Sequence, residues 1–271
     1  MRRQKKKEVS LLPRANWHPL NRGLLSAERW GVVVVGAGGN GCEMINGLAR
    51  MHVAMRALGH PGGLAVKVYD HDQVSEANIG RQLYAASDIG QNKAVVAVNR
   101  VNCFFGLDWE AAPERFPEDK ADSPYMSPHC LPRLASHVHI LISCVDTAAG
   151  RRSIARYVTK RHQAPVYWLD MGNGKHDGQV ILGHASEPKL PSVVDVFPEL
   201  LDEAFVEDDT PSCSLAEALT HQDLFINRAV ATFALDLLWR LFKDAGLCHH
   251  GAFINLESGH VNPLRVGGSL K

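Results

Sequence analysis

Two carboxylates, a guanidinium, an ammonium and two carboxamides fall within one connection of this chain. They are Asp70, Asp72, Asn78, Arg81, Gln82 and Lys93, carried by YDHDQVSEANIGRQ (Tyr69 to Gln82) and by GQNK (Gly90 to Lys93). Carboxylates can position a ribose or a metal ion, and Arg and Lys neutralise charge on departing phosphoryl groups, so the set suits a nucleoside triphosphate with magnesium. A nicotinamide enzyme needs one acid here, Asp70 on a ribose hydroxyl, and would leave the other groups idle. Upstream, in VVVVGAGGNG (Val32 to Gly41), Gly36, Gly38 and Gly41 fill a G-x-G-x-x-G frame, with Gly39 as an extra glycine. Residues without a Cβ let backbone N–H groups approach a phosphate.

These groups need elements to hold them. The valine run predicts a buried parallel strand that feeds a tight turn and a helix from Gly41 to about Ala57, with Cys42, Ile45, Leu48, Ala49 and Val53 on its packed face. Leu64 to Tyr69 (LAVKVY) reads as the next strand, ending at Asp70. From Asp88 through Asn102 the spacing of Ala94, Val95, Val98 and Val101 predicts a helix capped by Asp88, with Lys93 pointing into the nucleotide loop. His139 to Val145 predicts a third core strand ending at Asp146, followed by a helix from Arg151 to His162 and a strand from Pro165 to Leu169. Gly172, Gly174 and Gly178 then predict a mobile connection into a strand at Gly178 to Gly183. Phe225, Ala229, Phe233, Leu237 and Leu241 recur every four residues, predicting a long helix over 224–242 with a continuous apolar ridge. Gly251 to Val266 reads as two short strands. Strands alternating with helices imply an α/β fold: a Rossmann-like, mostly parallel sheet with helices on both faces and short C-terminal strands.

Composition narrows the partners. The 271 residues include 29 basic and 29 acidic side chains, so no global field favours nucleic acid or a membrane. MRRQKKK at the start is a local exception that reads as a solvated tail, and residues 1–30 read as an irregular segment ahead of a domain over 31–271. Without an apolar run after those charges, no secretion signal is expected, and the cytoplasm is the expected compartment. Six cysteines are scattered with no C-x-x-C pair, so no structural zinc is expected. His249 and His250 are adjacent, poor spacing for a shared metal, and are expected at the surface.

The D-x-D-x-V-x-x-x-N-x-x-R-Q run followed by G-x-x-K resembles the ubiquitin-activating-enzyme-like superfamily typified by ThiF and MoeB. The resemblance extends to Asp146 at a strand end and to the GQVILG strand. It implies ATP binding with magnesium held at Asp146, and adenylation of the C-terminal carboxylate of a small ubiquitin-like protein or peptide. Asp70 would hold the ribose, Arg81, Lys93 and Asp146 would stabilise the reacting phosphate, and Asn78 and Gln82 would orient phosphate oxygens or the loop itself. It also implies a homodimer, and a crossover loop that lies over the bound tail. That loop corresponds to residues 184–214, where eight acidic residues between Glu187 and Asp209 face a single Lys189. Cys213, just before the helical stretch starting near Leu215, is the candidate nucleophile for a thioester, because a helix N-terminus favours thiolate. A narrower resemblance is to the ThiF family protein of the bacterial PRTRC gene system, on GAGGNG, NIGRQLY, the zinc-free cysteine pattern and PSCSLAEAL. It implies a plasmid-associated setting shared with a JAB-type peptidase and a ParB-like protein. The chain lacks the R-Y-x-R-Q segment and the zinc cysteines common in such relatives. Two other readings therefore stay open: a nucleotide-bound partner-recruiting module without turnover, and a nicotinamide- or flavin-dependent oxidoreductase.

Overall fold

The strand Trp30–Val35 (β2) is buried along its whole length, and its valines serve two cores at once. Val32 and Val34 join the apolar cluster on one face of the sheet, and Val33 and Val35 join the cluster on the other. Successive side chains of a strand point to opposite faces, so an unbroken β-branched run fits a strand covered on both sides. The structure is a computed structural model that describes residues 16–116, 138–159, 167–184, 186–202 and 215–268.

Within these residues two short elements precede β2: strand β1 (His18–Pro19) and helix α1 (Arg22–Ser26), inside the stretch expected to be irregular. After β2 come α2 (Gly39–Ala57), β3 (Leu64–Tyr69), α3 (Lys93–Phe105), β4 (Glu110–Ala112), β5 (Ile140–Ser143) and α4 (Ala148–Thr159). Strands β6 (Tyr167–Asn173) and β7 (Asp177–His184) follow, then α5 (Val193–Val196), α6 (Leu215–His221) and α7 (Ile226–Lys243). The described chain ends with β8 (Gly246–Leu247), β9 (His249–Asn255) and β10 (His260–Arg265). Eight strands form one sheet in the order β10-β9-β7-β6-β5-β2-β3-β4, and β1 pairs with β8 separately. The run β6-β5-β2-β3-β4 is parallel, and β7, β9 and β10 add an antiparallel wing. Helices α2, α3 and α7 cover one face, and α4 and α5 the other. Among the described residues no helix is long and apolar enough to cross a membrane.

Several expectations are corrected here. Val53 is 47% exposed rather than on the packed face of α2, whose buried residues include Met44, Ile45, Leu48, Ala49 and Met55. Helix α3 is capped by Asn92, whose side chain accepts the Val95 N–H, and not by Asp88. Asp88 sits in a separate turn, accepting from the Ala85 N–H and from Arg100. Gly172 and Gly178 belong to a tight β6–β7 hairpin rather than a mobile link. Phe225 and Phe233 of the expected ridge are exposed, and the buried stripe of α7 runs through Ile226, Val230, Ala234, Leu238 and Leu241. His250 is buried, with Nδ1 against the Leu182 carbonyl, and does not lie at the surface.

Candidate functional site

The C-terminal ends of β2, β3, β5 and β6 meet at one edge of the sheet, where α2 begins. Gly36 turns the chain at φ +95°, a conformation that glycine adopts without strain. Gly41 lets α2 start directly on that turn, because a Cβ there would lie 2.1 Å from the Gly36 carbonyl oxygen. Gly38 is the N-cap of α2, with no side chain capping the helix, and a Cβ on it would meet nothing within 4 Å. The turn therefore offers uncapped helix N–H groups and the positive end of a helix dipole to an open face.

Two buried side chains hold Ala37, one by its N–H and the other by its carbonyl. Asp70 Oδ2 accepts the Ala37 N–H at 2.6 Å, and the Tyr84 hydroxyl donates to the Ala37 carbonyl at 2.6 Å. Asp70 Oδ1 also accepts the Asp72 N–H at 2.8 Å. Burial pushes the Asp70 carboxyl up, opposed by those two N–H donors and by Lys93. Asp70 thus braces the turn, and its carboxylate keeps lone pairs for a further donor such as a ribose hydroxyl. Tyr84 closes the NIGRQLY run and carried no role in the sequence reading. For Tyr84→Phe we expect a loss of about 1–3 kcal/mol, because the Ala37 carbonyl loses its short donor in a buried place. Denaturant unfolding checks this, and a change below about 0.5 kcal/mol would remove Tyr84 from the account.

The loop from Asp70 to Lys93 carries the other expected residues. Asn78 is buried and its Oδ1 accepts from the Ser75 N–H at 2.9 Å, so it shapes the loop. Gln82 is buried with Oε1 unpartnered, and Arg81 has a buried Nε without a partner, while its Nη1 donates to Gln222 at 2.6 Å. Burial lowers the Arg81 pKa, and Asp146 and the Cys42 sulfur oppose that shift. Lys93 opens α3 and its Nζ lies 3.1 Å from Asp72 Oδ2, with half of the Asp72 side chain exposed. Asp146 is exposed just beyond β5, and no hydrogen bond to it is found among the described residues. Asn40, in the first turn of α2, donates to Asn173 at the end of β6 and keeps a buried Oδ1 unpartnered.

Cys42 and Cys144 also flank the turn, but burial pushes the Cys42 thiol up to about 11 and raises Cys144 as well. Neither has the character of a nucleophile. Cys213 lies outside the described residues, as does the part of the acidic loop from 203 to 214. The residues that sequence reasoning missed are Tyr84, Asn40, Asn173, Gln222 and Asn227. Only Tyr84 and Asn40 lie inside the runs read as a nucleotide site.

The model of the ThiF family matches residues 19–255. The chain belongs to the ThiF family. No protein with a curated description matches it in sequence. Among solved structures it is similar to selenomethionine PaaA, at 15% identity and a TM-score of 0.56, covering 88% of this chain and 64% of that one. It is also similar to Escherichia coli MccB solved with MccA, at 16% identity and a TM-score of 0.57, covering 88% and 64%. MccB solved with ATP gives 17% identity and a TM-score of 0.53, covering 88% and 63%. This ThiF-family chain therefore spans less than two thirds of the length of these solved chains.

Proposed function

We propose that this ThiF-family protein is an adenylating enzyme that activates the C-terminal carboxylate of a small ubiquitin-like protein or peptide with ATP. The observation that carries the reading is the open, uncapped α2 N-terminus at Gly38, with the incompletely paired Arg81 guanidinium linked through Gln222 and Asn227 to the neighbouring Gly39. Uncapped N–H groups and an incompletely paired guanidinium both call for an anion with several oxygens, which a triphosphate supplies. The solved MccB complexes with ATP and with MccA support a nucleotide and a second molecule on this fold.

In this reaction a carboxylate oxygen attacks the α-phosphorus. A new O–P bond forms, the bond from that phosphorus to the bridging oxygen breaks, and pyrophosphate leaves with the electron pair. Backbone N–H groups of the turn hold phosphate oxygens, and Asp70, besides bracing the turn, takes the ribose. Arg81 and Lys93 balance charge that develops on the leaving pyrophosphate, with Gln82 orienting an oxygen. Most of the acceleration then comes from positioning and preorganised electrostatics. Asp146 fits a magnesium ion, being an exposed carboxylate just beyond β5 without a described hydrogen bond, while Asp72 follows β3, on the other side of β2 in the sheet. Magnesium held there would supply charge neutralisation on the phosphates. Passage of the acyl group to Cys213 as a thioester, a homodimer, a cytoplasmic setting, and a PRTRC-type plasmid context with JAB-type and ParB-like partners belong to the same proposal.

Thermal unfolding of the full chain with magnesium-ATP, with NAD and with neither tests it. ATP at about a hundred times its dissociation constant should add roughly 2.7 kcal/mol, a rise of several degrees in midpoint. The rise should shrink in Asp146→Ala. Stabilisation by NAD and not by ATP would reverse the assignment in favour of an oxidoreductase.

A further inference from the structure

The Arg81 guanidinium is held by a residue distant in sequence. Its Nη1 donates to Gln222 Oε1 across 141 positions, at 2.6 Å. The same oxygen accepts a second bond from Asn227 Nδ2 at 2.9 Å. Asn227 is 4% exposed and lies against the glycine turn, where a Cβ on Gly39 would come within 2.5 Å of its carboxamide. One carboxamide oxygen thus joins Arg81, the turn and the start of α7. Gln222 also follows α6 directly, and α6 packs on the Glu76–Asn78 turn just upstream of Arg81.

A carboxamide oxygen is neutral, so its bond to a guanidinium is weaker than that of a phosphate oxygen. A ligand phosphate can therefore outcompete it, whereas a carboxylate in the same place would not yield. Building on the adenylation reading, we infer that Gln222 is a positioning residue that holds Arg81 in reserve and releases it to a phosphate of the bound nucleotide. The exchange frees the Gln222 oxygen from Arg81 while Asn227 keeps it. Phosphate occupancy is thereby coupled to the segment that links α6 to α7.

The test uses calorimetric titration of the full chain with ATP and with adenosine. Gln222→Glu keeps an acceptor for Arg81 but adds charge, and should weaken ATP at least about tenfold while adenosine changes less than about twofold. Gln222→Met removes the acceptor and should leave ATP as tight as in the parent or tighter. In an Arg81→Met background the Gln222→Glu effect should fall below about twofold. An equal loss with and without Arg81 would mean that the new carboxylate repels the phosphate directly, and the inference would be wrong. Equal weakening by Gln222→Glu and Gln222→Met would reduce Gln222 to a structural contact and overturn it too. If the parent binds adenosine but gains nothing from the phosphates, this inference fails while nucleotide binding stands. If the parent binds no nucleotide at all, the adenylation reading falls with it.

Discussion

Alanine at Gly41 is expected to weaken ATP binding on the order of a hundredfold and to destabilise the fold, whereas alanine at Gly38 should weaken binding alone. At Gly41 the new methyl would stand 2.1 Å from the Gly36 oxygen and 2.8 Å from its carbonyl carbon. Both are backbone atoms. Gly36 cannot move away freely, because its N–H is bonded to the Tyr69 carbonyl, and the Ala37 N–H and carbonyl that follow are held by Asp70 and Tyr84. Helix α2 must therefore back off the sheet, and its buried face, from Cys42 to Met55, goes with it. Overpacking of this kind costs about 1–3 kcal/mol. A displacement of about 1 Å in a site that works by positioning costs on the order of a hundredfold in function.

Gly38 has open space where its side chain would be, so alanine there meets no clash. Its methyl would occupy the space that a phosphate needs. Unfolding midpoints and ATP titrations of the two variants separate the effects. ATP binding by Gly38→Ala as tight as that of the parent would show that the open face of the turn is not where the nucleotide sits.

The parallel half of the sheet was legible because its cause is local. Four valines ending in glycine state both the buried strand and the turn, and LAVKVY ending at Asp70 states the next strand. The errors came where a local pattern admits more than one geometry. Residues spaced every four positions drift by about 40° per step around a helix of 3.6 residues per turn, so Phe225, Ala229, Phe233, Leu237 and Leu241 share no single face. The structure buries the neighbours of Phe225 and Phe233 and leaves those rings outside. Asp88 and Asn92 are both good caps in isolation. Gly90 at φ +83° breaks the chain between them, and only Asn92 reaches the first free N–H groups of α3.

The site divides along the same line. The groups of the Asp70–Lys93 connection announce themselves by type and spacing. Gln222 and Asn227 do not, since each is an ordinary carboxamide until the fold brings it to Arg81 and Gly39. Asp170 was hidden for a related reason. It ends the apolar run YWL in the sequence, and nothing local says that a carboxylate is to be buried there.

Loss of the Asp170 charge is expected to be the most destabilising single change among the polar residues of the core. Asp170 is fully buried in β6. It accepts from the Ser143 hydroxyl and from Arg151 Nε, at 3.2 and 3.3 Å to its two oxygens. Ser143 in turn accepts from Trp168 Nε1 at 2.8 Å. Removing one partner of a buried ion pair costs about 3–5 kcal/mol, because the other charge stays in low dielectric without its counterpart. For a chain of this size, Asp170→Asn should lower the unfolding midpoint by roughly 6–10 °C. Replacing both members should be milder, since the buried ion pair is then removed whole, so Asp170→Asn with Arg151→Met should recover part of the loss. A double variant worse than Asp170→Asn alone would show that Arg151 stabilises the fold independently of this carboxylate. The pair also bears on the site, because Ser143 ends β5 and Arg151 lies in α4, on either side of the turn that presents Asp146. Asp170 fastens both ends of that turn, so Asp170→Asn should weaken magnesium-ATP binding along with stability, even though Asp170 itself lies beneath the surface that a nucleotide could touch.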